Sequence, residues 1–180
     1  GAGVRADLPD AITRLRSLLP ASDLQGDALG ATLHLAGIDE LTRIGEAMNG
    51  DGDGFLPGHR RLIERLLPGP LRLLIQMDEA QLARVRATLG LVPGAAEVDG
   101  ALAVRVPGHA ECAAMLAAIR SPLVAVSAEA LGGLTDAELS AAWRSLGGED
   151  NLVRIETDEG TRSPIGQRST TVVLTRAGGV

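Results

Sequence analysis

Apolar residues follow two different spacings in turn along this chain, and that alternation constrains the fold more than any other feature of the sequence. Helical repeats at i, i+3 and i+4 give way to short apolar runs typical of strands, with Gly and Pro at the junctions. The pattern predicts helices over Pro9–Leu19, Ile38–Met48, His59–Leu67, Glu79–Leu89, Ala110–Ile119 and Thr135–Leu146. It predicts strands over Ala31–Ala36, Leu71–Gln76, Ala101–Val106, Leu123–Ser127, Leu152–Glu156 and Thr170–Thr175. Elements that alternate in this way favour an α/β fold, an open twisted mixed sheet covered by helices.

The length of the chain indicates one domain over residues 1–180. A chain of 180 residues with 45% hydrophobic content can bury one core and leaves little room for a second. No window approaches the roughly 18 consecutive apolar residues of a membrane span, and the N-terminus lacks the pattern of a signal peptide. Cys112 is the only cysteine, which excludes an internal disulfide and a cysteine zinc cluster. We therefore expect a cytoplasmic protein in a reducing compartment.

The basic residues are all arginine, and the absence of lysine excludes Schiff-base and P-loop mechanisms. A net charge of −6, one Trp, one Phe and no Tyr also oppose binding to nucleic acids, which needs clustered cations and aromatic platforms. Weak or absent RNA binding is the expectation. An exception would require a local stripe of Arg60, Arg61 and Arg65, which fall within about one and a half turns of a predicted helix.

Other motifs match their catalytic or metal-binding patterns incompletely. The run Asn49 to Gly54 begins like a calcium-binding loop, but its twelfth position is Arg60 where a bidentate Glu is required. An exposed turn favours the same composition. The three histidines are far apart in sequence, so no metal site is expected. Ser127 lacks the flanking glycines of a nucleophile elbow, and a serine that caps a strand end or binds a ligand is the preferred interpretation.

Five blocks, in order along nearly the whole chain, resemble the YrdC-like domain family. Their residues correspond to the family's strand after its lysine-arginine loop, its Trp-Pro-Gly-Pro-Leu turn, its Val-Arg-Val-Pro element, its Ser-Ala-Asn segment and its Ser-Thr-Val-Val strand. In this sequence the blocks are Ala31–Ala36, Leu67-Pro68-Gly69-Pro70-Leu71, Val104-Arg105-Val106-Pro107, Ser121–Glu129 and Ser169–Val173. His109 resembles a histidine that often follows the third block.

The resemblance implies the fold and the reaction of L-threonylcarbamoyladenylate synthases. These enzymes join threonine, bicarbonate and ATP into threonylcarbamoyl-adenylate, which donates the threonylcarbamoyl group for N6-threonylcarbamoyladenosine in tRNA. The ATP is used with Mg. Double-stranded RNA binding is also associated with the family. The implied substrate-binding residues are Arg105, Ser127, Glu129 and Thr170, with Arg105 as a cation and the hydroxyls as hydrogen-bond partners. Because each of Arg105, Ser127 and Thr170 lies at the end of a predicted strand or just beyond it, they are expected to converge on one concave face.

When these blocks are aligned with the family's motifs, the sequence departs from the family pattern at several positions. The family's Lys-x-Arg pair corresponds to Leu19 and Ala21, and its Ser-x-Asn pair to Ser127 and Glu129. A carboxylate beside phosphates repels them, and the missing cations remove stabilising charge. The chain is also expected to lack the family's first and last strands. The sequence thus predicts a degenerate active site; the alternatives are a non-catalytic binding or scaffold protein on the same fold and a module of a larger carbamoyl-transferring enzyme.

Overall fold

The computed structural model describes residues 2–20, 31–49, 54–127, 129–147 and 170–176. Within these residues the chain forms seven strands and six helices. The strands are β1 (Ala2–Arg5), β2 (Thr32–His34), β3 (Leu71–Gln76), β4 (Glu97–Val98), β5 (Ala101–Arg105), β6 (Leu123–Val126) and β7 (Thr170–Leu174). The helices are α1 (Pro9–Ser17), α2 (Ile38–Asn49), α3 (Pro57–Leu66), α4 (Glu79–Leu89), α5 (Ala110–Ile119) and α6 (Asp136–Ser145).

The described strands form one open mixed sheet in the order β1-β6-β2-β5-β3-β7, with β4 paired to β5. β2 and β5 run parallel to each other, whereas β6 is antiparallel to β2 and β3 is antiparallel to β5. β7 runs parallel to β3 at one edge, and β1 runs antiparallel to β6 at the other. The expected α/β class with a mixed sheet is confirmed.

One face of the sheet carries the main hydrophobic core. The strand residues Val4, Val124, Leu33, Val104 and Leu73 form one register level across five strands, and all are buried. The buried sides of the first four helices belong to the same core cluster, and their members include Ile12, Leu15, Leu41, Ile44, Ile63, Leu82 and Val85. Because side chains alternate along a strand, the residues between these positions point to the opposite side, which we call the second face.

Local sequence signals set the ends of several helices. Pro9 and Pro57 start α1 and α3, where a missing backbone N–H is not needed. Asp78 caps α4 through a reciprocal pair of hydrogen bonds with Gln81, and Gly90 ends that helix in a left-handed conformation. Thr135 and Glu138 form the same type of capping box at the start of α6.

The predicted elements correspond closely to the observed ones in the described residues. The six predicted helices are present, with boundaries shifted by no more than about two residues. The sequence pattern missed β1 and the two-residue β4, and the predicted strand Leu152–Glu156 lies outside the described residues. Among the helices that the structure describes, none is long and apolar enough to cross a membrane.

Candidate substrate-binding face

One register level of the second face brings two arginines and a histidine together. β6, β2 and β5 are aligned there through the pairs Leu123 with His34 and His34 with Arg105. β3 is antiparallel to β5 with Leu73 opposite Val104, so the residue before Leu73, Arg72, lies opposite Arg105. We call this level the arginine row; from β1 to β7 it contains Arg5, Leu123, His34, Arg105, Arg72 and Thr171.

The charges along the arginine row differ in their surroundings. Arg5, at the edge strand, is held by Asp7, whose carboxylate accepts hydrogen bonds from Nε at 3.0 Å and from a terminal nitrogen at 2.7 Å. Arg105 is half-buried, and its Nε is fully enclosed without a hydrogen-bond partner among the described residues. Burial lowers the pKa of the Arg72 guanidinium from its ordinary value, although an arginine still keeps its charge at neutral pH. Arg105 is therefore available to an anionic ligand in a way that Arg5 is not.

Two titratable groups that feel the charge of Arg105, His34 and Cys112, are uncharged near neutral pH. Burial, assisted by the positive charge of Arg105, lowers the pKa of His34 from 6.5 to about 4. Burial raises the pKa of the Cys112 thiol, against the opposing influence of Arg105. Since the charge of Arg105 acts on Cys112, α5 lies close to this face. A neutral imidazole and a neutral thiol leave the positive charge of the arginines uncompensated by these two groups.

Ser127 and Glu129 lie at the other end of the sheet from Arg105. β6 runs antiparallel to β5, and its first residue, Leu123, is the one at the level of Arg105. Ser127 is four residues farther along, a separation of about 13 Å in the strand direction alone. Its exposed hydroxyl accepts a hydrogen bond from the Ala130 backbone N–H at 3.1 Å, in agreement with the preferred interpretation as a cap. Glu129 is also exposed.

Thr170 lies at the same end of the sheet as Arg105 but on the other side. It pairs with Leu71, a core residue that is 8% exposed, whereas the next residue, Thr171, pairs with Arg72. By strand alternation Thr171, and not Thr170, belongs to the second face. The strand directions and register therefore separate Arg105, Ser127 and Thr170, which do not converge on one face as expected. Sequence reasoning missed Arg72, His34 and Thr171, whose proximity depends on strand pairing.

The position that resemblance assigns to the family's lysine is part of the core. Leu19 is 7% exposed and belongs to the main hydrophobic cluster. A cation at that position would have to leave the core or lose its hydration, which is unfavourable without a partner. Ala21 lies outside the described residues.

The exposed arginines of α3 lie on a separate surface. Arg60 and Arg61 line a shallow cavity of about 530 Å³ together with Pro57 and Glu64. The carboxylate of Glu64 reduces the positive potential of this surface, which limits its attraction for a nucleic-acid backbone.

The remaining histidines are also apart from the arginine row. His59 is buried in α3, and His109 at the start of α5 contacts Glu111 with 2.6 Å between Nδ1 and the carboxylate. No group of three or more His, Cys, Asp or Glu side chains that could hold a metal occurs among the described residues. Most of the calcium-like loop, residues 50–53, lies outside them.

Comparison with protein families gives a match over most of the chain. The model of the Sua5/YciO/YrdC domain, described as telomere recombination, matches residues 33–179. That range includes the four implied substrate-binding residues. A comparison with curated proteins found no match.

Two solved structures of Sua5 from P. abyssi are similar to this chain. One is a double alanine variant with 23% identity and a TM-score of 0.46. The match covers 70% of this chain and 30% of the Sua5 chain. The other is described as Sua5 complexed with L-threonine, with 26% identity and a TM-score of 0.45. That match covers 70% of this chain and 31% of the Sua5 chain. This chain therefore spans less than a third of the length of these Sua5 structures.

Proposed function

Because this chain belongs to the Sua5/YciO/YrdC family, we propose that it is a relative of threonylcarbamoyl-AMP synthases whose ligand face persists while its active site is degenerate. Its ligands are small molecules of the kind that the family uses: ATP, threonine and bicarbonate. The proposed location is the cytoplasm, and the proposed process is the formation of threonylcarbamoyladenosine in tRNA.

The observation that carries the ligand-binding part of this proposal is the environment of Arg105. Its guanidinium lies on the second face of the sheet, with Nε enclosed and without a hydrogen-bond partner among the described residues. A half-buried guanidinium group with incomplete hydrogen bonding is costly, so a negatively charged ligand that accepts from this group would be bound favourably. The proposed role of Arg105 as a substrate-site cation thus has support independent of the family pattern.

Missing positive charges support the proposal that the active site is degenerate. No lysine exists in the sequence, and Leu19 contributes to the core. Glu129 adds an exposed carboxylate two residues after Ser127. Adenylyl transfer develops negative charge on phosphate oxygens, and each absent donor lowers the stabilisation of that charge. We therefore assign Ser127, Glu129 and Thr170 only as candidate ligand contacts, without catalytic roles.

ATP fits the charge of the arginine row, and Mg would accompany the nucleotide. Mg binds proteins through one or two carboxylates together with substrate phosphates and waters, so it does not need a cluster supplied by the chain. When bound, Mg neutralises phosphate charge and orients the triphosphate. The part of this chain that fits the nucleotide is the pair of cations on β5 and β3, whose N–H groups can donate hydrogen bonds to the oxygens of a phosphate group.

A second candidate is a non-catalytic binding or scaffold role, either alone or as a module of a larger carbamoyl-transferring enzyme. The exposed hydroxyl of Ser127 already accepts a hydrogen bond from Ala130, which favours a structural use of that serine. This alternative keeps ligand binding and removes turnover.

A paired measurement of binding and turnover tests the proposal. Isothermal titration calorimetry with Mg-ATP and with threonine measures binding, and release of pyrophosphate from ATP in the presence of threonine and bicarbonate measures the reaction. We expect binding of at least one ligand, with turnover at least about a thousandfold below that of an active family member, since two missing donors correspond to roughly 4 to 8 kcal/mol. Turnover like that of an active enzyme would contradict degeneracy. Binding of neither ligand would contradict the retained ligand face.

A further inference from the structure

The tip of the β4–β5 hairpin places an aspartate and a glycine in contact with solvent. Asp99 and Gly100 are the two residues between Val98 and Ala101, which pair with each other, and both are exposed. Their φ angles are 49° and 73°, so the loop has the two left-handed central residues of a type I′ turn. Asp99 is the one aspartate among the described residues that a glycine follows. The hairpin therefore presents an Asp-Gly peptide bond at the surface.

The two groups of this dipeptide that can react with each other are not engaged elsewhere. Within the part of the chain that the structure describes, the Asp99 carboxylate makes no hydrogen bond or ion pair, and the Gly100 backbone N–H has no acceptor. Asp78 differs, because its carboxylate accepts the Gln81 backbone N–H in the cap of α4. At Gly100 no atom lies within 4 Å of the position that a Cβ would take, so that side of the peptide is open.

We propose that Asp99 is a site of spontaneous isomerisation to isoaspartate. The Gly100 nitrogen attacks the side-chain carboxyl carbon of Asp99 and forms a five-membered succinimide. One carboxyl oxygen leaves as water, together with the proton of the nitrogen and a proton taken from solvent. Water then opens either of the two C–N bonds of the ring and returns that proton. One product is the original aspartate, and in the other the main chain runs through the former side chain. The reaction consumes no oxidant, reductant or second substrate.

The β4–β5 hairpin can open at its tip and depends on the length of its turn. Ring closure requires rotation of the backbone between Asp99 and Gly100, and the tip can open for it because β4 contributes only two residues to the sheet. The product has one additional carbon in the main chain. Because a two-residue turn fixes the register of a hairpin, that carbon should loosen the pairing of β4 with β5. Glu97 of β4 forms an ion pair with Arg86, so the modification also weakens the attachment of α4.

Ageing of the folded chain at 37 °C and pH 7.4 tests the site. Trypsin releases residues 87–105 as one peptide, because Arg86 and Arg105 precede the two cleaved bonds. Electron-transfer fragmentation of this peptide distinguishes isoaspartate from aspartate at Asp99. Asp136, which is also exposed but is followed by an alanine inside α6, is the internal control. Isoaspartate should form at Asp99 at least about tenfold faster than at Asp136, a barrier difference of about 1.4 kcal/mol.

Two variants assign the reaction to this side chain. Asp99→Asn should form the succinimide about tenfold faster than the wild type, with release of ammonia, because a neutral amide is a better electrophile than an ionised carboxylate. Asp99→Glu, whose ring would have six members, should form no measurable isomer. Chromatography separates the isomerised wild-type chain, which should unfold at least about 2 °C below the fresh chain. Asp99→Glu aged in the same way should keep its unfolding temperature.

The proposal does not depend on the proposed function, and three results would overturn it. The first is formation of isoaspartate at Asp99 no faster than at Asp136. The second is isomerisation of the isolated 87–105 peptide without any in the folded chain, which would show that the turn stays closed. The third is an equal loss of stability on ageing in Asp99→Glu, which would place the damage away from this hairpin.

Discussion

Arg86 has two carboxylate partners in different surroundings, and this difference gives a stability prediction with an internal control. Its guanidinium, 19% exposed, contacts Glu97 at 2.8 and 2.5 Å and Glu79 at 2.7 Å. Glu97 is only 17% exposed, whereas Glu79 is 78% exposed. Glu97 also accepts the Gly94 backbone N–H at 3.1 Å, so this carboxylate connects α4 to the turn before β4. These contacts raise the pKa of the Arg86 guanidinium.

We expect Glu97→Gln to lower the free energy of unfolding by about 2 kcal/mol and Glu79→Gln by less than about 0.5 kcal/mol. The first value lies between the roughly 0 to 1 kcal/mol of exposed ion pairs and the 3 to 5 kcal/mol lost when one partner of a fully buried pair is removed. Glutamine keeps the size of the side chain and can still accept from Gly94, so the difference reports the charge. The second value is small because water and salt screen the exposed carboxylate.

Urea unfolding followed by far-ultraviolet circular dichroism and by fluorescence measures both changes. Trp143 is the single tryptophan and is buried in α6, so its emission reports loss of the core. The loss in Glu97→Gln should persist at 0.5 M salt. Equal losses in the two variants, or a loss below about 0.5 kcal/mol in Glu97→Gln, would refute the argument that burial decides the strength of these pairs.

The remaining predictions concern activity, RNA, pH and packing. Glu129→Asn should not restore threonine-dependent pyrophosphate release, because it removes one repulsive carboxylate without supplying the missing cations; strong activity in this variant would show that other residues supply them. A gel shift with double-stranded RNA at physiological salt should be weak or absent at micromolar protein, given the net charge of −6, and a salt-sensitive shift would contradict this. Stability should fall by about 3 kcal/mol through His34 as pH is lowered from 6.5 to about 4, since the unfolded state binds the proton first, and His34→Gln should flatten that part of the profile; an unchanged slope would refute the buried neutral imidazole. Gly54→Ala should destabilise the fold by about 1 to 3 kcal/mol in urea unfolding, because a methyl group would overlap the carbonyl oxygen of Gly45, and a neutral effect would show that the loop adjusts.

The local elements could be predicted because their signals are local. The strand Leu71–Gln76 alternates buried and partly exposed positions after a Gly-Pro turn, and α4 begins after an Asp that has a Gln three residues later. β4 was missed because two residues are too few to show a period, and β1 was missed because half of it is Ala2 and Gly3, residue types that are depleted in strands. Strand order depends on long-range pairing, which a single sequence does not encode in any local pattern.

The candidate face was predicted only in part for the same reason. Arg105 was found through the resemblance, but the direction of β6 puts Ser127 at the far end of the sheet from it. A shift of one residue in a strand reverses the side to which a residue points, and this parity assigns Thr171 instead of Thr170 to the second face. Arg72 carried no motif, and only the pairing of β3 with β5 reveals that it is a neighbour of Arg105.

The pairing of β7 with β3 has a consequence for the order in which the molecule forms. β7 lies about a hundred residues after β3 in the chain, yet the two strands share five register pairs. Contacts between such distant segments close large loops and slow folding. During synthesis from the N-terminus, β3 and β5 can pair while β7 has not yet left the ribosome, so β3 remains an open sheet edge until then. The edge of β3, next to Arg72, is thus the last part of the sheet to be covered. Until β7 pairs with it, this edge can pair with a strand of another chain, at the same place where the ligand face is formed.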